Sequence, residues 1–159
     1  MNTRYDIPNG VLSANAGVSG DGYGYAEVTM QDDFTVYGLP AGTSVVLAAH
    51  FNVRISSNSL GYPKGDGTLR EAFGDSVTAF LPGVTDLRID VSAVAGQPFR
   101  LSYELSARGD YMGGGSVSGL ISFSGVPSGA AVLSCNGYVS DRTVAVRSAS
   151  WARLKSIYR

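Results

Sequence analysis

Along residues 99–106 apolar and polar side chains alternate without a slip: Phe99, Leu101, Tyr103 and Leu105 against Arg100, Ser102, Glu104 and Ser106. Successive side chains of an extended chain point to opposite faces, so this stretch reads as a strand with one apolar face. A longer run keeps the same beat. Val45, Leu47, Ala49, Phe51, Val53 and Ile55 alternate with Val46, Ala48, His50, Asn52 and Arg54, which predicts a central strand. Ahead of it, Ala26, Val28 and Met30 face inward and Tyr23, Tyr25, Glu27 and Thr29 outward, with Asp32-Asp33 expected to interrupt before a continuation over 34–37. Shorter runs over 11–18, 75–81, 87–91, 117–123 and 130–138 complete the set.

Two segments read as connections by composition: 56–70, which holds Asn58, Gly61, Pro63, Gly65, Asp66 and Gly67, and the Gly-rich 108–115. One turn occurs twice. Gly38-Leu39-Pro40-Ala41-Gly42 and Gly125-Val126-Pro127-Ser128-Gly129 lie 87 residues apart and each enters a strand, which suggests two similar hairpins. Strands that are apolar on one side need a second layer. With roughly eight to ten strands, turn signals about every ten residues and no helical period before Ser148, the predicted fold is all-β: an antiparallel two-sheet β-sandwich, jelly-roll-like, with little or no helix outside the C-terminal tail.

The 159 residues suffice for one domain with its own core. Only 16% are charged, and the net charge of −1 gives no overall drive toward nucleic acid or anionic lipid. The charge is uneven, however. Five of the twelve basic residues (Arg142, Arg147, Arg153, Lys155, Arg159) fall in 142–159, which holds no acid, leaving seven basic against thirteen acidic residues in the rest. The expected organisation is therefore a sandwich over 1–141 and a basic tail over 142–159. If the tail turns helical, Trp151, Leu154 and Tyr158 form one apolar stripe with Arg153 and Lys155 off it. That makes it a docking, assembly or sorting segment. No apolar run is long enough to insert in a membrane, and residues 1–5 lead into no signal-peptide core.

The order Gly38-Leu39-Pro40-Ala41-Gly42-Thr43, long strand, loop, two strands, Ala95-Gly96-Gln97-Pro98-Phe99-Arg100-Leu101-Ser102-Tyr103-Glu104-Leu105-Ser106-Ala107, Gly-rich loop, strand, Gly125-Val126-Pro127-Ser128-Gly129 resembles secreted bacterial surface β-sandwich proteins of the PEP-CTERM-associated type. The resemblance covers about residues 34–138 and is carried by fold motifs. The Pro-Glu-Pro, transmembrane and Arg-cluster tail of that group is not among these residues. The resemblance implies an extracellular or cell-surface location.

Candidate chemistry is sparse. His50, the sole histidine, reads as a solvated residue on the polar face of its strand. Phe73-Gly74-Asp75-Ser76 matches the nucleophile block of GDSL-type hydrolases, but the sole His precedes the Ser and no α/β pattern surrounds it, so no hydrolytic activity is expected to depend on Ser76 or His50. The single Cys135 and the lack of Cys/His clusters exclude zinc. Asp21, Asp32, Asp33, Asp66 and Asp110 lack EF-hand spacing, and Glu27, Asp90 and Glu104 stand as isolated strand carboxylates. Arg108-Gly109-Asp110 spells an integrin-type tripeptide that chance supplies readily in such a composition. No catalytic, cofactor-binding or metal-ligating residue is expected.

The leading expectation is a non-enzymatic extracellular structural protein that assembles with copies of itself, as a filament or surface-layer subunit, through Trp151, Arg153, Leu154, Lys155 and Tyr158 or an edge strand. The alternative is a carbohydrate-binding module using Tyr23, Tyr25, Tyr62 and Tyr111, since aromatic faces stack on pyranose rings.

Overall fold

A computed structural model describes residues 1–19, 21–57, 65–72, 74–110 and 113–140. Ten strands follow one another: β1 Asn2–Asp6, β2 Val11–Gly17, β3 Tyr23–Tyr37, β4 Ser44–Ser57, β5 Gly65–Glu71, β6 Ser76–Ala79, β7 Gly83–Val94, β8 Pro98–Asp110, β9 Gly114–Ser124 and β10 Ala131–Ser134. They form two five-stranded antiparallel sheets, ordered β1-β2-β9-β4-β7 (sheet A) and β10-β3-β8-β5-β6 (sheet B). Without the outermost β1 and β10, the orders 2-9-4-7 and 3-8-5-6 are those of a jelly roll. β1–β2 and β5–β6 are hairpins; the other connections cross between sheets. One 3-10 turn, Ile7–Asn9, is the helical element among the described residues.

The two strands with the cleanest alternation are interior. β4 lies between β9 and β7, and β8 between β3 and β5. Phe51, Val53, Leu101, Tyr103 and Leu105 are all buried between the sheets, and the Phe51 and Tyr103 rings meet across the gap at 5.5 Å. Gly119 of β9 lies beneath Phe51. A Cβ there would come within 2.2 Å of the ring, so the missing side chain of one strand makes room for the aromatic of its neighbour. At one end, Phe34 packs against Phe99, Phe123 and Tyr138 with centroids 5.8, 5.1 and 5.8 Å away, joining both sheets in one aromatic cluster.

Several expectations are corrected. β3 is not interrupted at Asp32-Asp33. Asp32 occupies an inward position, buried, and its Oδ1 accepts from Cys135 Sγ–H at 3.1 Å and Asn136 Nδ2 at 3.0 Å. The turn after β10 thus supplies donors to one oxygen of this acid, the other being buried without a hydrogen-bond partner among the described residues, and the strand continues. Residues 56–70 are not one loop: β4 runs on to Ser57 and β5 begins at Gly65. The Gly-rich 108–115 is largely strand, with β8 ending at Asp110 and β9 starting at Gly114. Arg108-Gly109-Asp110 is therefore a strand end, with Gly109 pressed against the backbone of Gly17 and Gly113.

The repeated turns are not hairpins either. The first carries β3 of sheet B to β4 of sheet A, and the second carries β9 of sheet A to β10 of sheet B. In each, the residue after the second Gly returns its N–H to the Pro carbonyl: Thr43 to Pro40 at 3.2 Å and Ala130 to Pro127 at 3.0 Å. The two turns touch, since a Cβ on Gly38 would lie 2.2 Å from the Gly129 carbonyl oxygen. Gly38 also has φ of 90°, which L side chains rarely adopt.

Truncating a fully buried core side chain should remove about 2–5 kcal/mol, so Leu101→Ala should lower the urea midpoint accordingly. Gly119→Ala should destabilise by about 1–3 kcal/mol through overpacking against Phe51, although Ala is otherwise preferred to Gly inside a strand. Midpoints equal to wild type in both variants would show that the core register is wrong.

Candidate functional site

The outward positions of β3, β8 and β5 form a ladder across sheet B. Tyr25 pairs with Arg108; Glu27, Ser106 and Asp66 form the next rung; Thr29, Glu104 and Thr68 the one after; Asp33 pairs with Arg100 beyond. Inward residues of the same strands fix this register, because a slip of one residue would turn every apolar side chain outward. The polar ladder is thus a by-product of core packing.

At one end Tyr25 is fixed on two sides. Its hydroxyl donates to the Glu27 carboxylate, and the Arg108 guanidinium lies over its ring at 5.9 Å. The phenol is pushed up, first because it donates to Glu27 and then by burial. Tyr23 is two residues away on the same face, 67% exposed against 39% for Tyr25. In the middle, Ser106 donates to Asp66. Glu104 is held above the usual carboxylate range, mainly by desolvation and then by the charges of Glu27 and Asp66, with Arg70 opposing. At the far end Arg100 donates to both oxygens of Asp33 at 2.7 and 2.9 Å, which lowers the Asp33 carboxyl. A cavity of about 410 Å³ opens there, lined by Asp33, Glu71, Ala72, Pro98, Phe99 and Arg100. The face therefore offers an aromatic ring contacted on two sides, carboxylate acceptors and guanidinium donors in one strip.

Sheet A carries a second constellation on its outer face. His50 is not a lone solvated residue: its Nδ1 lies 2.8 Å from Asp86 Oδ2 and its Nε2 2.7 Å from Ser124 Oγ. Its side chain is 20% exposed. In register His50 stands opposite Arg88 on β7 and Ser122 on β9, so both partners are diagonal neighbours on adjacent strands. The sequence reading missed this trio because its members lie 36 and 74 residues apart. The signal that would have found it is the strand order, which places three outward polar positions side by side. Ser76, the serine of the GDSL-like block, stands on β6 of sheet B instead.

Of the residues proposed from sequence, Tyr23 and Tyr25 share the outer face of sheet B. Tyr62, Tyr111, Trp151, Arg153, Leu154, Lys155 and Tyr158 lie outside the described residues, as does the tail over 142–159. Among the described residues no three His, Cys, Asp or Glu side chains are placed to hold a metal ion, and no helix is long and apolar enough to cross a membrane.

No protein-family model matches the sequence, and no curated protein matches it. Among solved structures, the chain is similar to TmCBM61 in complex with β-1,4-galactotriose, at 13% identity over 70% of this chain and 81% of that one. The TM-score is 0.33, too low for that likeness to bear on function.

The raised pKa of Glu104 makes its ionisation destabilising. The native state binds that proton more tightly than the unfolded chain, so the penalty is absent below the ordinary carboxylate range and complete once pH has risen through the raised native value. Glu104→Gln removes it. The variant's urea midpoint should exceed wild type at neutral pH and match it in acid; equal midpoints at both would show that the strip does not strain this carboxylate.

Proposed function

We propose that the chain is a carbohydrate-binding module whose ligand lies along the outer face of sheet B, with Tyr25 as the stacking platform. The observation that carries this reading is the fixed Tyr25 ring, held edgewise by Glu27 and covered on one side by Arg108. A pyranose presents one apolar C–H face and a rim of hydroxyls. An aromatic ring satisfies the first, while carboxylates and guanidinium groups satisfy the second. Holding the ring before binding reduces the side-chain entropy lost when ligand arrives. Glu27, Asp66 and Arg108 then accept from and donate to hydroxyls around the stacked sugar. Tyr23, more exposed on the same strand, serves a neighbouring unit.

Such a module acts where glycans are displayed, in keeping with the extracellular or cell-surface location implied by the family resemblance. Self-assembly through Trp151, Leu154 and Tyr158 remains an expectation about residues 142–159 and draws nothing from the described part of the chain.

Binding should appear on a glycan array and be measurable by calorimetry with the best array ligand. Tyr25→Ala should weaken it by at least about tenfold, which is about 1.4 kcal/mol, and Glu27→Gln by a smaller factor, with urea midpoints near wild type. Binding that survives Tyr25→Ala undiminished would overturn this assignment, as would an array without a hit.

A further inference from the structure

We infer that Ser124 is an activated nucleophile, with His50 as its general base and Asp86 as the positioning residue, and that it accepts the acyl group of small esters on sheet A, away from the proposed glycan strip. The contact order decides the protonation pattern. An ionised carboxylate only accepts hydrogen bonds, so the His50 nitrogen facing Asp86 at 2.8 Å, Nδ1, carries the proton. In the neutral ring the other nitrogen, Nε2, then has a free lone pair, and it lies 2.7 Å from Ser124 Oγ. The serine hydroxyl therefore donates to a base whose tautomer is fixed from behind. A nucleophile hydrogen-bonded to a base that is itself oriented by a third group is the arrangement that activates serine on unrelated folds.

Access agrees with this role. Ser124 is the last residue of β9, exposed, directly before the turn at 125–129. It also lines a cavity of about 390 Å³ walled by Phe123, the turn at 125–129, Ala130 and Ser140. Its glycine- and serine-rich wall leaves room beside the hydroxyl for an acetyl or similarly small acyl group. His50, by contrast, is mostly covered, so the base is shielded while the nucleophile is presented.

In the reaction, Ser124 Oγ attacks the ester carbonyl carbon as its proton passes to His50 Nε2. The carbonyl π pair moves onto oxygen, giving a tetrahedral adduct. As the carbonyl reforms, the bond to the leaving oxygen breaks, and His50 returns its proton to that alcohol. Water then repeats the sequence on the acyl-serine, transferring a proton to His50, releasing the carboxylic acid and restoring the serine. Asp86 touches no reacting atom. It holds the ring and balances the imidazolium that forms at each step.

The test uses the full chain with two probes: a fluorophosphonate, for covalent labelling, and p-nitrophenyl acetate, for p-nitrophenolate release. The wild type should be labelled at Ser124, as located by peptide mass spectrometry. Labelling should vanish in Ser124→Ala, fall at least about 100-fold in His50→Ala and persist in Ser76→Ala, with ester cleavage following the same order. Asp86→Asn separates positioning from mere strand tying. The amide donates to Nδ1 and forces the proton onto Nε2, so reactivity should fall at least about tenfold while the urea midpoint holds, and Asp86→Glu should restore part of it. Should His50→Ala unfold the chain, Ser124→Cys supplies the second reading: its thiol, followed at residue 124 by peptide mass spectrometry so that Cys135 does not contribute, should react with iodoacetamide faster than that of Ser124→Cys/His50→Gln. Labelling that persists in Ser124→Ala would overturn the inference, as would wild-type labelling no greater than that of the urea-unfolded protein or equal thiol rates in the last pair.

Discussion

The sandwich depends on one requirement: the apolar faces of two sheets must be closed against each other by a chain that keeps changing sheets. Because most connections cross between sheets, neither can be completed from one contiguous stretch. The contacts that satisfy this are specific. Phe51 fills the space left by Gly119 and meets Tyr103 of the opposite sheet, while Phe34 and its three aromatic neighbours close one end. Touching turns at Gly38 and Gly129 fix the two crossings beside each other.

Once the inner layer is fixed, the outer faces are fixed with it. Leu101, Tyr103 and Leu105 inward mean Arg100, Glu104 and Arg108 outward in one register with β3 and β5. The same logic on sheet A brings His50, Asp86 and Ser124 together. Packing thus presents two chemically different strips on opposite sides of the molecule. Sheet B offers a braced aromatic with carboxylates and guanidinium groups, whereas sheet A offers a base between an acid and a hydroxyl.

The architecture was legible where one face is apolar. The alternation over 45–55 and 99–106 indicated interior strands, and the turn spacing indicated a sandwich. It was illegible where a tertiary partner overrides the local pattern. Asp32 looked like a break because its donors, Cys135 and Asn136, are a hundred residues further on. β5 looked like loop because its glycines serve close packing: a Cβ on Gly67 would lie 2.7 Å from Val53. β1 carries mostly exposed residues, so an edge strand there left no apolar signature. On the functional side, the shared face of Tyr23 and Tyr25 followed from parity alone. The partners that fix Tyr25 and His50 come from other strands and needed the strand order.

The position of β9 has a consequence for how such a chain reaches its fold. It lies between β2 and β4, pairing Val11 with Leu120 on one side and Phe51 with Ile121 on the other, yet both neighbours precede it in the chain. Closing contacts of such long range is slow relative to local pairing. Without β9, sheet A would be two halves, β1–β2 and β4–β7, each with an open edge facing the other. That slot is one strand wide and rimmed by unpaired N–H and C=O groups. β9 is thus the strand that covers both edges at once, and shortening it would expose two templates for pairing rather than one.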